Sequence, residues 1–315
     1  MIVCRFLFGM GEAGAFPIAT RSLSRWMLPS ERGFSQGITH AGSRLGAAMT
    51  PALVAWIVAR HGWRVAFVAF GSLGVVWAIT WFVYYRDLPS EHKGVNPAEL
   101  ALITNSVPAR KTGDGVPWRI ILSNRQMWLL SSAYFCYGYS LAVYLDWFPK
   151  YLNSARGFSL EKMGIYASLP LFAGTLGDIA GGWISDILAK TGLGLAKARQ
   201  VVAIIGFLIG AVAILGACFA ADPTTSVIFS CVAMFGLELT VGVSWAIPLD
   251  IGGDYSGSVS AVMNTLGNMG GAVSTTLSGF LVQYYGWNST FIAMSVLSLI
   301  AAGLFTQIDA EKRIV

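Results

Sequence analysis

The chain has 315 residues, of which 55% are hydrophobic and only 12% charged, and its mean hydropathy is +0.62. Soluble domains are about one-quarter charged, so this composition excludes an ordinary soluble protein and describes a multi-spanning membrane protein. The net charge of +5 does not point to nucleic acid, because the basic residues sit in short connectors between long apolar runs rather than in one patch. The surface they meet is the lipid bilayer.

A helix crosses the hydrocarbon core with about 20 mostly apolar residues. In chain order, nine such runs are predicted, at 3–27, 35–59, 64–85, 126–149, 163–188, 200–220, 225–248, 257–284 and 288–307. The first carries Arg5 and Glu12 where a secretory signal would have an uninterrupted apolar core, so it reads as a spanning helix. The longest connector, 86–124, divides the chain into a partial first half (1–85, three spans) and a second half (125–315, six spans). Within it, GVNPAELALI places Asn96 to cap a short surface helix, Pro97 at its first position and Glu99 in its first turn. The cysteines Cys4, Cys136, Cys218 and Cys231 all fall inside apolar runs and read as small apolar fillers.

The connectors orient the chain. Arg21, Arg25, Arg32, Arg86, Lys93, Arg110, Lys111, Arg119, Arg125, Lys190, Lys197, Arg199, Lys312 and Arg313 fall on one side, against Arg60, Arg64, Lys150, Arg156 and Lys162 on the other. The first side is therefore expected to be cytoplasmic, with the C-terminus inside.

Two stretches align without gaps at an offset of 224 residues, Gly42–Phe67 with Leu266–Phe291, pairing Gly46 with Gly270, Gly62 with Gly286 and Trp63 with Trp287. Spans two and three thus resemble spans eight and nine, in the same orientation, as in transporters built from parallel repeats. The same offset sets Arg44 opposite Asn268 and His40 opposite Asn264. Each pair is i, i+4 on one helical face, the arrangement expected of a cavity between two halves. Arg44 suits a carboxylate and the asparagines suit hydroxyls, with interhelical hydrogen bonding the alternative for the asparagines. His40 is expected nearer the cytoplasmic end, in an accessory role.

A charge within a spanning segment costs about 2.5 to 3.5 kcal/mol on insertion scales, so Arg5, Glu12, Arg44, Asp178 and Glu238 are expected to face a cavity or a partner. Arg5 and Glu12 lie two turns apart on nearly one face, about 10 Å along the axis. Glu12 can carry a proton, whereas Arg5 can pair with a carboxylate or hold an anion. Glu238 fits a second protonatable site and a packing hydrogen bond equally, and for Asp178 packing or gating is the favoured role. An enzyme reading exists in Asp146 and Asp178 as an intramembrane aspartyl dyad, but YLD and GTLGD miss the expected spacing. The sequence carries no HExxH, GxSxG or Walker-type loop and no segment resembling a channel filter.

RFLFGMG at 5–11 resembles the RxxxGxG motif of the fourth helix of major facilitator superfamily transporters. With Glu12 and Pro17, RWMLPSERG, GSRLGAA, HGWR, FCYGY around Tyr137, GGWISD followed by KAR, and NTLGNMGG, the chain resembles the anion:cation symporter family. That family includes bacterial hexuronate, galactonate and glucarate transporters and, more distantly, vesicular glutamate transporters and sialin. The resemblance implies an all-α polytopic fold whose nine spans match helices four to twelve of twelve. It implies a monomer in the bacterial inner membrane, no cofactor, and symport of a small organic anion with a proton. It also implies proton coupling through Glu12 with Arg5, Tyr137 in the binding site, and a gating role for Asp186. The fifth helix lacks the gxxxGPxxGG pattern of antiporters, which favours symport. Helices one to three, with the expected carboxylate partner of Arg5, are not in this chain, so a non-transporting remnant is the alternative reading. GGWISD also lacks the usual basic cluster directly after its aspartate.

Overall fold

Long apolar runs punctuated by Gly, Pro and charge fold here into a bundle of helices. The computed structural model describes residues 2–106 and 115–314; Arg110 and Lys111 of the basic connector lie outside them. In chain order the helices are α1 (Ile2–Glu12), α2 (Ala15–Trp26), α3 (Arg32–His61), α4 (Trp63–Tyr84), α5 (Pro97–Ser106), α6 (Trp118–Ser123), α7 (Arg125–Ala142), α8 (Phe148–Ser154), α9 (Leu160–Leu188), α10 (Leu195–Phe219), α11 (Pro223–Ile251), α12 (Ser256–Tyr285) and α13 (Trp287–Phe305). Every predicted span is helical. Six stretches meet a strict length and hydropathy test for crossing a membrane, namely Ile2–Trp26, Pro29–His61, Trp63–Tyr84, Leu195–Phe219, Pro223–Ile251 and Trp287–Phe305. The other three, through α7–α8, α9 and α12, are diluted by small and polar residues that pack inward. On α12 these are Ser256, Ser260, Gly267, Gly270, Ser274 and Ser278, a buried stripe at helical spacing.

Two predicted spans are interrupted. The first breaks between α1 and α2 because Pro17 has no N–H to give the carbonyl of Ala13 and its ring crowds that carbonyl. The fourth runs past its predicted end: α7 passes through a π-turn at Val143–Trp147 into α8, where Pro149 stands at the second position. In the connector, Asn96 Oδ1 accepts the Glu99 N–H at 2.8 Å and caps α5.

The repeat is visible in the backbone. α3 and α12 are each 30 residues long and start and stop 224 residues apart. Each ends at a glycine, Gly62 or Gly286, with φ of 80°, a conformation that only glycine adopts without strain. The link fixes how α4 and α13 turn back along their partners. α9 packs on α3 and α11, α10 on α11 and α13, and α12 on α7 and α2. α1 buries no side chain, and α4 buries only Ala66. Their outward aliphatic and aromatic surface suits lipid or further helices. Cys136 and Cys218 are buried as expected of fillers, whereas Cys4 is exposed on α1.

Candidate functional site

A cavity of about 210 Å³ lies where α2, α3, α7 and α12 meet, lined by Phe16, His40, Arg44, Tyr134, Tyr137, Asn264 and Asn268 together with Gly138, Leu141, Ala142, Leu145, Gly267 and Gly271. The two repeat-related polar pairs therefore face one space, His40 and Arg44 from α3 and Asn264 and Asn268 from α12. His40 lies about two turns in from the Arg32 end of α3. It is buried, stacked on Phe16 at 4.5 Å and against Trp245 at 4.8 Å between ring centroids. Trp245 in turn donates its indole N–H to Tyr134 Oη at 2.7 Å, and Tyr134 stacks on Tyr137. Asn268 Nδ2 donates to the Asn264 carbonyl at 3.0 Å.

Arg44 is the charged centre of this wall. Its Nε donates to Glu238 Oε1 at 2.7 Å and its Nη2 to Tyr137 Oη at 2.6 Å. The Tyr137 hydroxyl in turn lies 2.9 and 3.0 Å from the two Glu238 oxygens. Glu238 is fully buried and Arg44 is 8% exposed, so the pair is a buried, hydrogen-bonded salt bridge between α3 and α11, closed into a triangle by α7. Such pairs exist at a large desolvation cost, and removing one partner strands the other. Of its two anticipated characters, Glu238 shows the packing bond, through Arg44 and Tyr137, from a position behind the residues that line the cavity. Asp178, also fully buried, stands beside Glu238 and is likewise not among the residues that line the cavity.

A second network closes the end expected to be cytoplasmic. Asp186 accepts the backbone N–H groups of Phe34 at 2.7 Å and Gly33 at 3.2 Å, at the first turn of α3, and the Arg199 guanidinium at 2.7 Å. A carboxylate at a helix N-terminus satisfies orphan amides and meets the positive end of the helix dipole. Arg199 also reaches Asp250, which accepts from Arg32 at 3.1 Å. Gly33 and Gly182 set this junction, since a Cβ on either would collide with the backbone of the other helix. Ser24 and Ser256 join α2 to α12 at the same end, Oγ to Oγ at 3.0 Å.

The sequence matches the Major Facilitator Superfamily over residues 1–275 and, in a second overlapping match, 197–313. The chain belongs to the Major Facilitator Superfamily. Among curated relatives of this superfamily member, a probable sulfoacetate transporter of Cupriavidus necator is 42% identical over 91% of this chain and 66% of the relative. The hexuronate transporter of Bacillus subtilis is 30% identical over 96% of this chain and 71% of the relative. The chain spans only 60% to 66% of the length of three such relatives. In fold it is similar to the solved superfamily transporter FucP in its outward conformation, with a TM-score of 0.60 at 13% identity, covering 95% of this chain and 72% of that one.

Against this superfamily frame, the structure gathers Arg44, Tyr137, Asn264, Asn268, His40, Glu238 and Asp178 in one neighbourhood and sets the others apart. Arg5 and Glu12 lie on exposed α1, and neither has an ion pair or hydrogen bond among the described residues. The aspartyl dyad is not formed: Asp146, exposed in the π-turn that follows α7, accepts from Thr275 at 2.7 Å, whereas Asp178 is buried beside Glu238. The missing basic cluster after GGWISD is supplied by Arg199, thirteen residues on and brought back by the α9–α10 turn. Arg32 and Arg199, read from the sequence as topology signals, are both buried in this ionic network. Phe16, Tyr134, Trp245 and Asp250 were not anticipated. An acid at the end of an apolar helix facing an excess of arginine was the available signal for Asp250.

Proposed function

We propose that this chain forms the alternating-access core of a transporter that carries a small organic anion into the cell with a proton, in the bacterial inner membrane with its C-terminus cytoplasmic. The observation that carries the reading is the buried Arg44 guanidinium in the wall of a cavity that also presents Tyr137, Asn264 and Asn268. Arg44 makes its protein hydrogen bonds through Nε and Nη2, leaving Nη1 without an acceptor among the described residues. A carboxylate or sulfonate is the proposed occupant of that donor, with the asparagine amides meeting substrate hydroxyls. The relatives named for sulfoacetate and hexuronate support a small organic anion that bears a carboxylate or sulfonate.

In the proposed cycle, Glu12 on α1 is protonated from outside with Arg5 organising that helix, the anion docks at Arg44, and the two parts of the chain rock. The Asp186–Arg199–Asp250–Arg32 contacts hold the cytoplasmic end closed until then. Calorimetric titration of the purified chain with sulfoacetate and with D-galacturonate tests the site. Arg44→Lys, which keeps the charge but loses the planar fork, is expected to weaken binding about tenfold or more. Unchanged affinity in that variant would remove Arg44 as the anchor.

A further inference from the structure

Asp178 and Glu238 sit together in the protein interior with one cation, Arg44, which is bonded to Glu238. Asp178 is fully buried, and neither of its oxygens receives a hydrogen bond from an N–H or O–H among the described residues. The charged group beside it is the Glu238 carboxyl, brought there by the close packing of α9 on α11 at Gly174 and Gly177. Two carboxylates both accept, so a bond between them exists only when one carries a proton. The helices force the encounter: Cβ atoms on Gly174 and Gly177 of α9 would fall 2.9 and 3.2 Å from Glu238 Cγ and Cβ, and a Cβ on Gly37 of α3 would strike the Asp178 backbone carbonyl. These close approaches hold the two acids in the packed interface of α3, α9 and α11.

The surroundings count against two negative charges. From α3 the pair meets Arg44 and, one turn away, His40; from α7 it meets Tyr134 and Tyr137. α10 offers no ionisable side chain between Arg199, held by Asp186, and Cys218 near its far end. α2 brings only Arg21 and Arg25, which bind Asp87, and α8 brings Lys150 at the opposite end of α9, over Trp147. One guanidinium therefore balances two carboxyl groups, and the site is neutral with a single proton on the pair. A buried carboxylate without a donor costs several kcal/mol, about what protonation avoids.

We propose that Asp178 and Glu238 are a proton-holding pair that competes with the transported anion for Arg44. With one proton, Glu238 stays ionised and keeps Arg44. A second proton neutralises Glu238, and the freed guanidinium takes the anion, so one proton and one singly charged anion enter the site together. This proton site is separate from Glu12 and explains why a carboxyl pair adjoins the cavity without lining it. The inference rests on the transport reading for its anion, but not for its proton.

Infrared difference spectra of the purified chain between about pH 5 and about pH 9 read the proton directly through the carboxylic-acid carbonyl stretch. Wild type is expected to show that band at neutral pH. Asp178→Asn and Glu238→Gln, each leaving one carboxylate opposite Arg44, are expected to abolish it, while Glu12→Gln leaves it. In weakly buffered solution, binding of D-galacturonate, a singly charged anion, to wild type is expected to take up about one proton per anion, and either pair variant to lose most of that uptake. Absence of the band in wild type, or its survival in both pair variants, overturns the proposal even if a variant folds poorly, since the wild-type spectrum needs no substitution. A band that disappears in Asp178→Asn, with no sulfoacetate or D-galacturonate binding to wild type, would uphold the proton pair and reject the transport reading instead.

Discussion

Asp186→Asn is expected to loosen the closed end of the bundle without unfolding it. The carboxylate accepts from Arg199 and Phe34 at 2.7 Å each and from Gly33 at 3.2 Å. Hydrogen bonds to charged groups contribute about 1.5–3 kcal/mol against about 1 for neutral ones, so neutralising the acceptor of two short bonds weakens the contact by roughly 2 kcal/mol. The loss of a negative charge at the α3 N-terminus acts in the same direction, by up to about 1 kcal/mol. Arg199 keeps a longer contact to Asp250 at 3.4 Å, which limits the damage. At 1.4 kcal/mol per tenfold, the equilibrium moves by about 30-fold toward the state open at this end. Ser24 is the reporter, being buried at the same end and bonded to Ser256. In a chain whose four native cysteines are replaced, Ser24→Cys should react with an impermeant maleimide roughly 10- to 30-fold faster when Asp186→Asn is added. Equal labelling rates in two variants with the same thermal midpoint would refute the reasoning that this contact holds the end shut.

Glu12→Gln is expected to remove accumulation driven by a pH gradient while sparing exchange of labelled for unlabelled anion; pH-dependent accumulation that survives rejects the coupling role assigned to Glu12. At the surface, partial burial pushes the Asp87 carboxyl up, but the hydrogen bond and charge of Arg25 and the charge of Arg21 outweigh it and hold it below its ordinary range. A carboxyl depressed by folding contributes stability that is present above its unfolded pKa and lost as pH falls through the folded one. Asp87→Asn should therefore lower the thermal midpoint near neutrality by an amount that shrinks to nothing once the pH has fallen through the depressed carboxyl's range, and modestly, since half-exposed pairs contribute under about 1 kcal/mol. A difference that persists in acid would contradict the assignment.

How much was legible depended on whether the signal was local. The helices, the repeat and the polar i, i+4 pairs were readable because hydropathy, helical period and a fixed offset are properties of neighbouring residues; α3 and α12 keep that offset to the residue. Ends were less secure, because Pro17 breaks a run that is apolar on both sides and the π-turn carries α7 onward past Leu145. Partner choice was not legible. Arg44 and Glu238 each had to find a partner to sit in an apolar span, but nothing local pairs residues 194 apart. The same holds for Asp186, whose counter-ion sits across a turn and whose other donors are backbone amides of a different helix. Arg5 and Glu12 show the converse: strong motif residues on a helix that buries nothing in the described structure.

The central claim is that Arg44 and its cavity carry an anion across the bilayer together with a proton. It is tested most directly by uptake of radiolabelled sulfoacetate and D-galacturonate into proteoliposomes holding the purified chain, with the outside acidified. Accumulation of at least one of the two above its external concentration, collapsing when a protonophore is added and absent in Arg44→Ala, is the result this account predicts. Accumulation that persists in Arg44→Ala, or uptake of both anions indifferent to the pH gradient, would contradict it.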